Sequence, residues 1–325
     1  MKPFTFSKSD KISKALSGKN DTVHFLAGGT NMVDLMKKNL ASPDALIDVT
    51  SVLSDKIERQ DNGIRIGAVV RNSTLGKHEL ILSKFPLIAK SVLAGASPQI
   101  RNMASTAGNL LQRTRCPYFY DTSTPCNKRK PGTGCSAWNG NQRMSAIVGY
   151  NEQCVAVHPS DLCVALVALD ATVNVMDKKL KPVRIPFDMF HRLPGNTPEL
   201  DNNLPANAII TSIDIPDNSF HRHYAYVKLR DRDSYAFALV SVAAALQIED
   251  GRIKAARLAS GGVAHKPWRW HQAEQFLVGK EATTANFSAA ADLVSKEVAP
   301  LAGNAFKKVM LRGAVETALQ NCLTA

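Results

Sequence analysis

Two apolar patterns alternate in the first part of the chain. Strand-like runs of apolar residues are followed by stretches in which apolar residues recur at helical spacing. The predicted strands are Val23–Leu26, Ala45–Val49 and Gly63–Val70. The predicted helices are Met32–Leu40, a short helix capped by Ser73, and Phe85–Ala94. This alternation is typical of an α/β fold.

A continuous apolar run from Leu162 to Leu169 predicts a buried helix, followed by a strand over Ala171–Met176. Ser160 is placed to cap the helix, and Asp161 in its first turn complements the helix dipole. An alternative role for Asp161 is to accept a hydrogen bond from a cofactor hydroxyl. His158 is interpreted as a turn residue.

The pattern changes after a proline-rich linker, Pro194–Pro205, and a second domain is predicted to begin near Asn207. Its predicted antiparallel strands are Ile209–Ile215, Tyr224–Leu229, Phe237–Ile248 and Ile253–Ala259. An Asp250-Gly251 turn joins the last two strands as a hairpin. The predicted helices are His271–Val278, Asn286–Glu297 and Ala305–Gln320. The domains are therefore predicted to be 1–206 and 207–325.

Length and composition place the chain among globular proteins. It has 325 residues, 45% hydrophobic and 21% charged, which fits two or three domains. The N-terminus has no apolar stretch behind its basic residues, and the longest uncharged apolar run, Tyr235–Ile248, is fourteen residues. We therefore expect neither a signal peptide nor a transmembrane helix in this sequence.

The net charge of +12 first suggests a nucleic-acid partner. Six basic residues, however, fall between positions 113 and 143, where Asp121 is the only acidic residue opposing them: Arg113, Arg115, Lys128, Arg129, Lys130 and Arg143. Such clustering indicates a local need for positive charge rather than a long basic groove, although a solvated basic loop remains an alternative. We expect no nucleic-acid partner.

Two glycine-bearing segments are candidates for holding phosphate. The first, Leu26-Ala27-Gly28-Gly29-Thr30-Asn31, joins a strand to a helix, where glycines let backbone N–H groups face an anion. The second supplies hydroxyls, a guanidinium, an amide and bare backbone from Ser97, Arg101, Ser105, Thr106, Gly108 and Asn109. An ordinary tight turn explains either segment alone.

Four cysteines are spaced C-x9-C-x8-C-x18-C, at Cys116, Cys126, Cys135 and Cys154. Prolines and glycines between the first three favour loops that converge thiolates on one point. Disulfides, a structural zinc and an iron–sulfur cluster all remain possible from spacing alone. The basic residues nearby would offset the negative charge of a cluster. Cys163 and Cys322 lie in apolar helices and are interpreted as structural.

Lys228, Arg230 and Arg232 precede Tyr235 at the end of a predicted strand. A lysine there is a candidate to face a flavin's polar edge, and the tyrosine to pack on its ring. Solvated charges at a sheet edge are the alternative.

With these residues in place, the chain resembles the FAD-binding subunits of molybdenum hydroxylases, the xanthine dehydrogenase and carbon monoxide dehydrogenase family. Phe25–Asn31 resembles the first FAD loop, Ile100–Leu110 the second, and Gly261–Pro267 a signature of the C-terminal domain. One departure is Ala107, where the family usually has glycine.

The resemblance implies a fold and a set of FAD-binding residues. The fold is α+β: a two-lobed α/β FAD-binding domain of the vanillyl-alcohol-oxidase type, followed by a smaller α+β domain with an antiparallel sheet and helices. The implied FAD-binding residues are Leu26 to Asn31, the six polar and glycine positions of the second segment, Leu110, Asp161, Leu162 and Lys228.

The cysteine-bearing insertion, at about 113–154, is similar to that of the flavoprotein subunits of bacterial periplasmic aldehyde oxidoreductases. This similarity implies a [4Fe-4S] cluster on the four cysteines. It also implies a large molybdopterin subunit that oxidises aldehydes to carboxylic acids and a small subunit with [2Fe-2S] clusters. In such enzymes the small subunit carries the export signal, so we expect a periplasmic location if the chain is exported with it and a cytoplasmic one otherwise.

The implied function is electron transfer from the [2Fe-2S] clusters through FAD to an external acceptor, with no catalytic side chain in this subunit. Two alternatives remain at this point. One is a basic binding module with a structural zinc, and the other is a standalone flavin reductase.

Overall fold

Three β-sheets organise the computed structural model, which describes residues 1–324. The strands, in chain order, are β1 Thr5–Lys8, β2 Val23–Leu26, β3 Ala45–Asp48, β4 Ile57–Gln60, β5 Gly63–Gly67, β6 Thr172–Met176, β7 Pro182–Pro186, β8 Ile209–Pro216, β9 Tyr224–Leu229, β10 Val240–Glu249, β11 Arg252–Gly261 and β12 Trp268–Arg269.

Helices cover and connect these sheets. They are α1 Ile12–Gly18, α2 Met32–Lys37, α3 Asn72–Leu75, α4 Glu79–Lys84, α5 Pro86–Ala94, α6 Pro98–Met103, α7 Thr106–Leu110, α8 Pro117–Tyr120, α9 Asp161–Ala168, α10 Phe187–Phe190, α11 His271–Leu277, α12 Thr284–Glu297 and α13 Phe306–Asn321, with a 3₁₀ turn at Ala302–Asn304. No helix in residues 1–324 combines the length and the apolar character needed to cross a membrane.

The first lobe is a small parallel sheet in the order β1-β3-β2. Its strand–turn–helix unit, β2 followed by α2, is confirmed, although α2 ends at Lys37 rather than Leu40. The turn leaves β2 at the edge where parallel strands end. The first glycine segment therefore lies at the edge of this sheet, where another segment of the chain can approach its backbone.

The second lobe is a five-stranded sheet in the order β4-β5-β8-β6-β7. The prediction that Ile209–Ile215 belongs to the second domain is wrong, because β8 pairs antiparallel with both β5 and β6. Its buried residues Ile210, Ile213 and Ile215 belong to the same core as residues of β5 and β6. We propose that the domain boundary lies between residues 217 and 223 instead of near Asn207.

The third sheet, β12-β11-β10-β9, is antiparallel and packs against α11, α12 and α13. The predicted hairpin is confirmed: Asp250 and Gly251, both with positive φ (50° and 73°), join β10 to β11. The predicted fold class is therefore confirmed, with a two-lobed first domain followed by a smaller α+β domain.

Helix α9 lies at the centre of the molecule because every one of its side chains is buried. It belongs to a core that also includes residues of β5 and β6 from the first domain and of β10 and β11 from the second. Its N-terminus, capped by Ser160 as predicted, points to the boundary between the two domains. By contrast, Ser73 is the second residue of α3 rather than its cap, which is Arg71.

Candidate functional site

The two predicted phosphate-binding segments meet in the structure. A Cβ atom added to Gly28 would lie 1.7 Å from the carbonyl oxygen of Met103, so only glycine permits this approach. The Asn31 side chain donates a hydrogen bond to the Gly108 carbonyl at 2.8 Å. Gly29 adopts a φ of +74°, which favours glycine. Residues 26–31 and 97–110 therefore form one backbone-lined cradle.

The hydroxyls of the second segment hold its backbone in shape. Ser97 caps α6 by accepting a hydrogen bond from the Ile100 N–H, and Ser105 caps α7 through the Gly108 N–H. Thr106 is buried and donates its hydroxyl to the Val70 carbonyl at 3.0 Å. These side chains order the turn, and direct phosphate contacts from them stay a prediction.

Arg101 is tied to the end of α5. Its guanidinium donates to the carbonyls of Gly95 at 2.6 Å and Ala96 at 3.1 Å, and burial lowers its pKa. Ala96 has a φ of +52°, an uncommon conformation for a residue with a side chain. The guanidinium therefore stabilises a strained turn here.

Asp161 joins the two domains. Its Oδ1 accepts a hydrogen bond from the Tyr226 hydroxyl at 2.7 Å, and its Oδ2 lies 2.8 Å from Lys228 Nζ. Lys228 also donates to the Ala94 carbonyl at the end of α5. Burial and the neighbouring Asp161 raise the pKa of Tyr226 well above its usual range, so this hydroxyl stays a hydrogen-bond donor.

The cradle is joined to Asp161 through the start of α9. The Ser160 hydroxyl donates to the side-chain oxygen of Asn109, and its oxygen accepts from the Cys163 N–H. Leu162, the next residue on the helix, is 1% exposed and packs into the core. Leu110 is also buried, and its carbonyl lies 2.9 Å from His191 Nε2. Leu110 and Leu162 therefore belong to the core, and contact between either residue and FAD stays a prediction.

A cleft of about 570 Å³, counting its open part, lies between the cysteine-bearing insertion and the second domain. Asp161 lies in its wall together with Arg115, Cys116, Phe237 and Gly262. Met144 and Ser145 also line it, and no sequence signal identified them. His158, interpreted as a turn residue, is 6% exposed and forms part of the wall.

The four predicted cysteines converge. All four line a second cavity of about 290 Å³, counting its open part: Cys116, Cys126, Cys135 and Cys154. All are free thiols, and the backbones of Cys126 and Cys135 pair as an antiparallel bridge. Burial raises the pKa of Cys154 to about 12, opposed by the charge of Lys128. Cys163 and Cys322 are buried in cores outside this cavity.

The acidic partners of the basic residues around the cysteines come from outside the insertion. Arg113 and Lys128 both contact Asp201, Arg115 contacts Asp34, and Arg143 contacts Asp231. Arg129 instead donates to the carbonyls of Tyr118 and Phe119. Distant parts of the chain supply the acidic partners.

Residues 194–205, predicted to be a linker, cover the insertion. Lys128 donates to the Pro198 carbonyl at 2.7 Å, Arg113 to the Glu199 carbonyl at 3.1 Å, and Asn151 to the Gly195 carbonyl at 2.9 Å. The prolines keep this segment irregular, which leaves its carbonyls free to accept these bonds. Residues 194–205 therefore cross the cysteine-bearing insertion, and we call this segment the strap.

Arg115 connects the cradle to the cysteine loop. Its guanidinium lies 3.3 Å from the side-chain oxygen of Asn31, 3.0 Å from Asp34 and 2.7 Å from the Tyr120 hydroxyl. The ring of Phe237, from the second domain, lies 5.1 Å away. The cysteine insertion is thus tied to the first glycine segment.

Comparison with known proteins matches both halves of the chain. Residues 2–218 match the family described as the FAD binding domain in molybdopterin dehydrogenase. Residues 224–322 match the CO dehydrogenase flavoprotein C-terminal domain. The boundary between these matches falls where the second sheet ends and the third begins.

Among curated proteins, the aldehyde oxidoreductase FAD-binding subunit PaoB of Escherichia coli is 45% identical over 98% of each chain. The glyceraldehyde dehydrogenase medium chain of Sulfolobus acidocaldarius is 24% identical over 91% of this chain and 89% of its own length.

Solved structures share the fold across nearly the whole chain. Carbon monoxide dehydrogenase from Hydrogenophaga pseudoflava superposes with a TM-score of 0.76 at 21% identity, covering 99% of this chain and 97% of that one. Quinoline 2-oxidoreductase from Pseudomonas putida 86 gives 0.75 at 18% identity, with 99% and 98% covered.

Proposed function

The chain belongs to the molybdopterin dehydrogenase family as a flavoprotein subunit of an oxidoreductase, and we propose that it serves a molybdenum-dependent aldehyde oxidoreductase. The observation that carries this proposal is the end-to-end match, at 45% identity, to an aldehyde oxidoreductase FAD-binding subunit. Neither alternative from the sequence, the zinc-holding binding module or the standalone reductase, gains support from the comparisons.

FAD is proposed to bind with its pyrophosphate in the cradle of residues 26–31 and 97–110. The fit rests on the contact between Gly28 and Met103, which brings two backbone turns close enough to direct N–H groups at one anion. Asp161 lies in the wall of the cleft, and its carboxylate is held by Lys228. When bound, FAD supplies the exchange between single-electron delivery and one- or two-electron release.

The four cysteines are proposed to hold a [4Fe-4S] cluster. Four thiolates around one zinc ion would lie about 4 Å from one another. Within residues 1–324, no three of these sulfurs lie within 4.8 Å of one another. A cubane cluster places a separate iron at each thiolate and so fits wider spacing. The cavity lined by all four residues supports the same assignment.

The proposed partners follow from the family. A large molybdopterin subunit would oxidise the aldehyde, and a small subunit with [2Fe-2S] clusters would pass electrons to the FAD of this chain and on to an external acceptor. A periplasmic location is proposed if the small subunit exports the complex. In this subunit the side chains bind and orient cofactors, so no nucleophile or general base is assigned.

The test is cofactor analysis of cysteine variants purified anaerobically within the complex. Cys126→Ser and Cys135→Ser should each lose iron and acid-labile sulfide relative to wild type. Cys163→Ser and Cys322→Ser are matched controls outside the cavity and should retain both. FAD should be released from the wild-type protein in stoichiometric amount. Unchanged iron in both cavity variants, stoichiometric zinc in wild type, or absence of FAD would contradict the assignment.

A further inference from the structure

Asp201 is the acidic centre of a charged group that lies against the cysteine cavity. Its Oδ1 lies 2.5 Å from Lys128 Nζ, and its Oδ2 lies 2.7 Å from Arg113 Nε. Burial by itself raises the pKa of Asp201, but Arg113 and Lys128 reverse this and lower the pKa well below its usual range. The carboxyl is therefore ionised and holds two cations in fixed positions.

Lys128 is the member of this group that lines the cysteine cavity. Its side chain is 1% exposed, and it lines the cavity together with the four cysteines. Of the six basic residues in the insertion, it alone appears in that wall. Its charge acts on Cys154, opposing the effect of burial on the pKa of that thiol.

Arg113 contacts Asp201 from outside the cavity wall. Its guanidinium lies 4.7 Å from the ring of Phe119, which also lines the cavity. The strap of residues 194–205 also contacts this charged group, since the Pro198 carbonyl accepts a hydrogen bond from Lys128. The Lys128 side chain is 1% exposed and that of Asp201 is 18% exposed, so these two charges are screened less by water than charges on an open surface.

We propose that Lys128 and Asp201 act as a pair of opposite charges that sets the reduction potential of the [4Fe-4S] cluster. This inference rests on the cluster assignment made above. Reduction adds one electron, and hence one negative charge, to a cluster that is already anionic with its four thiolates. A fixed ammonium group favours the reduced state and raises the potential, whereas a fixed carboxylate lowers it.

The two residues are therefore expected to have opposite effects when neutralised. Lys128→Met should lower the midpoint potential, and Asp201→Asn should raise it. Each change should alter the reduction equilibrium constant by tenfold or more, which corresponds to about 59 mV for a one-electron couple. The double variant removes one charge of each sign, so its potential should lie between those of the single variants.

The experiment is a reductive titration of the intact complex with dithionite and redox mediators, followed by EPR of the reduced cluster. Arg143→Gln is the matched control, because Arg143 is basic and lies in the insertion, but it is half exposed and pairs with Asp231 away from the cavity. Its potential should equal that of wild type. Iron and sulfide are measured in every sample.

The outcomes separate this inference from the cluster assignment. An iron-replete Lys128→Met variant with an unchanged or higher potential overturns the proposal, as do shifts of the same sign in both single variants. If Lys128→Met does not retain its cluster, the potential of Asp201→Asn decides: a value at or below wild type overturns the proposal. A wild-type protein without cluster iron defeats the earlier assignment instead.

Discussion

Lys228 Nζ lies 2.8 Å from Asp161 Oδ2, and the two side chains are only 5% and 7% exposed. The pair joins β9 of the second domain to the first residue of α9 in the first. Asp161 begins the central helix, and it presents a carboxylate at the wall of the cleft. A hydrogen bond from a cofactor hydroxyl to Asp161 stays a prediction, but the position of the residue is compatible with it.

Removing one member of the pair of Asp161 and Lys228 should lower the free energy of unfolding. Lys228→Met leaves a buried carboxylate without its cation, which typically costs about 3–5 kcal/mol. The variant should show a lower urea midpoint and release FAD more readily on gel filtration. Combining it with Asp161→Asn removes both charges and should recover much of the loss.

The matched control for that experiment is Lys14→Met, because Lys14 pairs with Asp10 at an exposed position. Its urea midpoint should stay close to that of wild type. If Lys228→Met were equally harmless, or if the double variant were no more stable than the single one, the pair would not couple the domains.

Gly28 offers a direct test of the cradle. In Gly28→Ala, the new methyl group would overlap the Met103 carbonyl, so the two turns must separate. Overpacking of this kind costs about 1–3 kcal/mol, and the separated turns should hold FAD poorly. The ratio of flavin to protein absorbance after dialysis measures the effect.

Gly313→Ala is the control for this substitution. Gly313 lies in α13 with open space around its Cβ position, and alanine is the better helix former by about 1 kcal/mol. This variant should keep its full FAD content. Equal flavin content in both variants would show that the contact between Gly28 and Met103 does not shape the FAD site.

Much of the local structure could be predicted from the sequence because its signals are local. The apolar run after Ser160 specified α9, and Asp250-Gly251 specified the hairpin between β10 and β11. The glycine segment after β2 and the four cysteines were also visible as patterns. In each case, residues that are close together in the sequence determine the local structure.

Apart from the cap of α3 and the end of α2, the misses depend on contacts between distant positions. Lys128 pairs with Asp201 at a separation of 73 residues, and Arg115 reaches Asp34 at a separation of 81. Counting charges within the insertion therefore underestimated its acidic partners. Strand β8 was assigned to the wrong sheet for the same reason, since apolar alternation predicts a strand without specifying its neighbours.

Lys307 predicts a pH dependence of stability. It is 0% exposed in α13, and its Nζ donates to the carbonyls of Ser145 and Gly262, both in the wall of the cleft. Burial, with a smaller effect from Arg143, lowers its pKa from 10.5 to about 7. Between these values the unfolded chain binds a proton that the folded chain does not, so stability rises with pH through this window.

We therefore expect the free energy of unfolding of wild type to increase, relative to Lys307→Met, by up to about 1.4 kcal/mol per pH unit between about pH 7.5 and about pH 9.5. Urea titrations across this range measure the difference. Lys308→Met makes the same change at the exposed neighbouring position and should keep the wild-type slope. If Lys307→Met also kept that slope, Lys307 would remain charged in the fold, and its two carbonyl partners would be bound by an ammonium group.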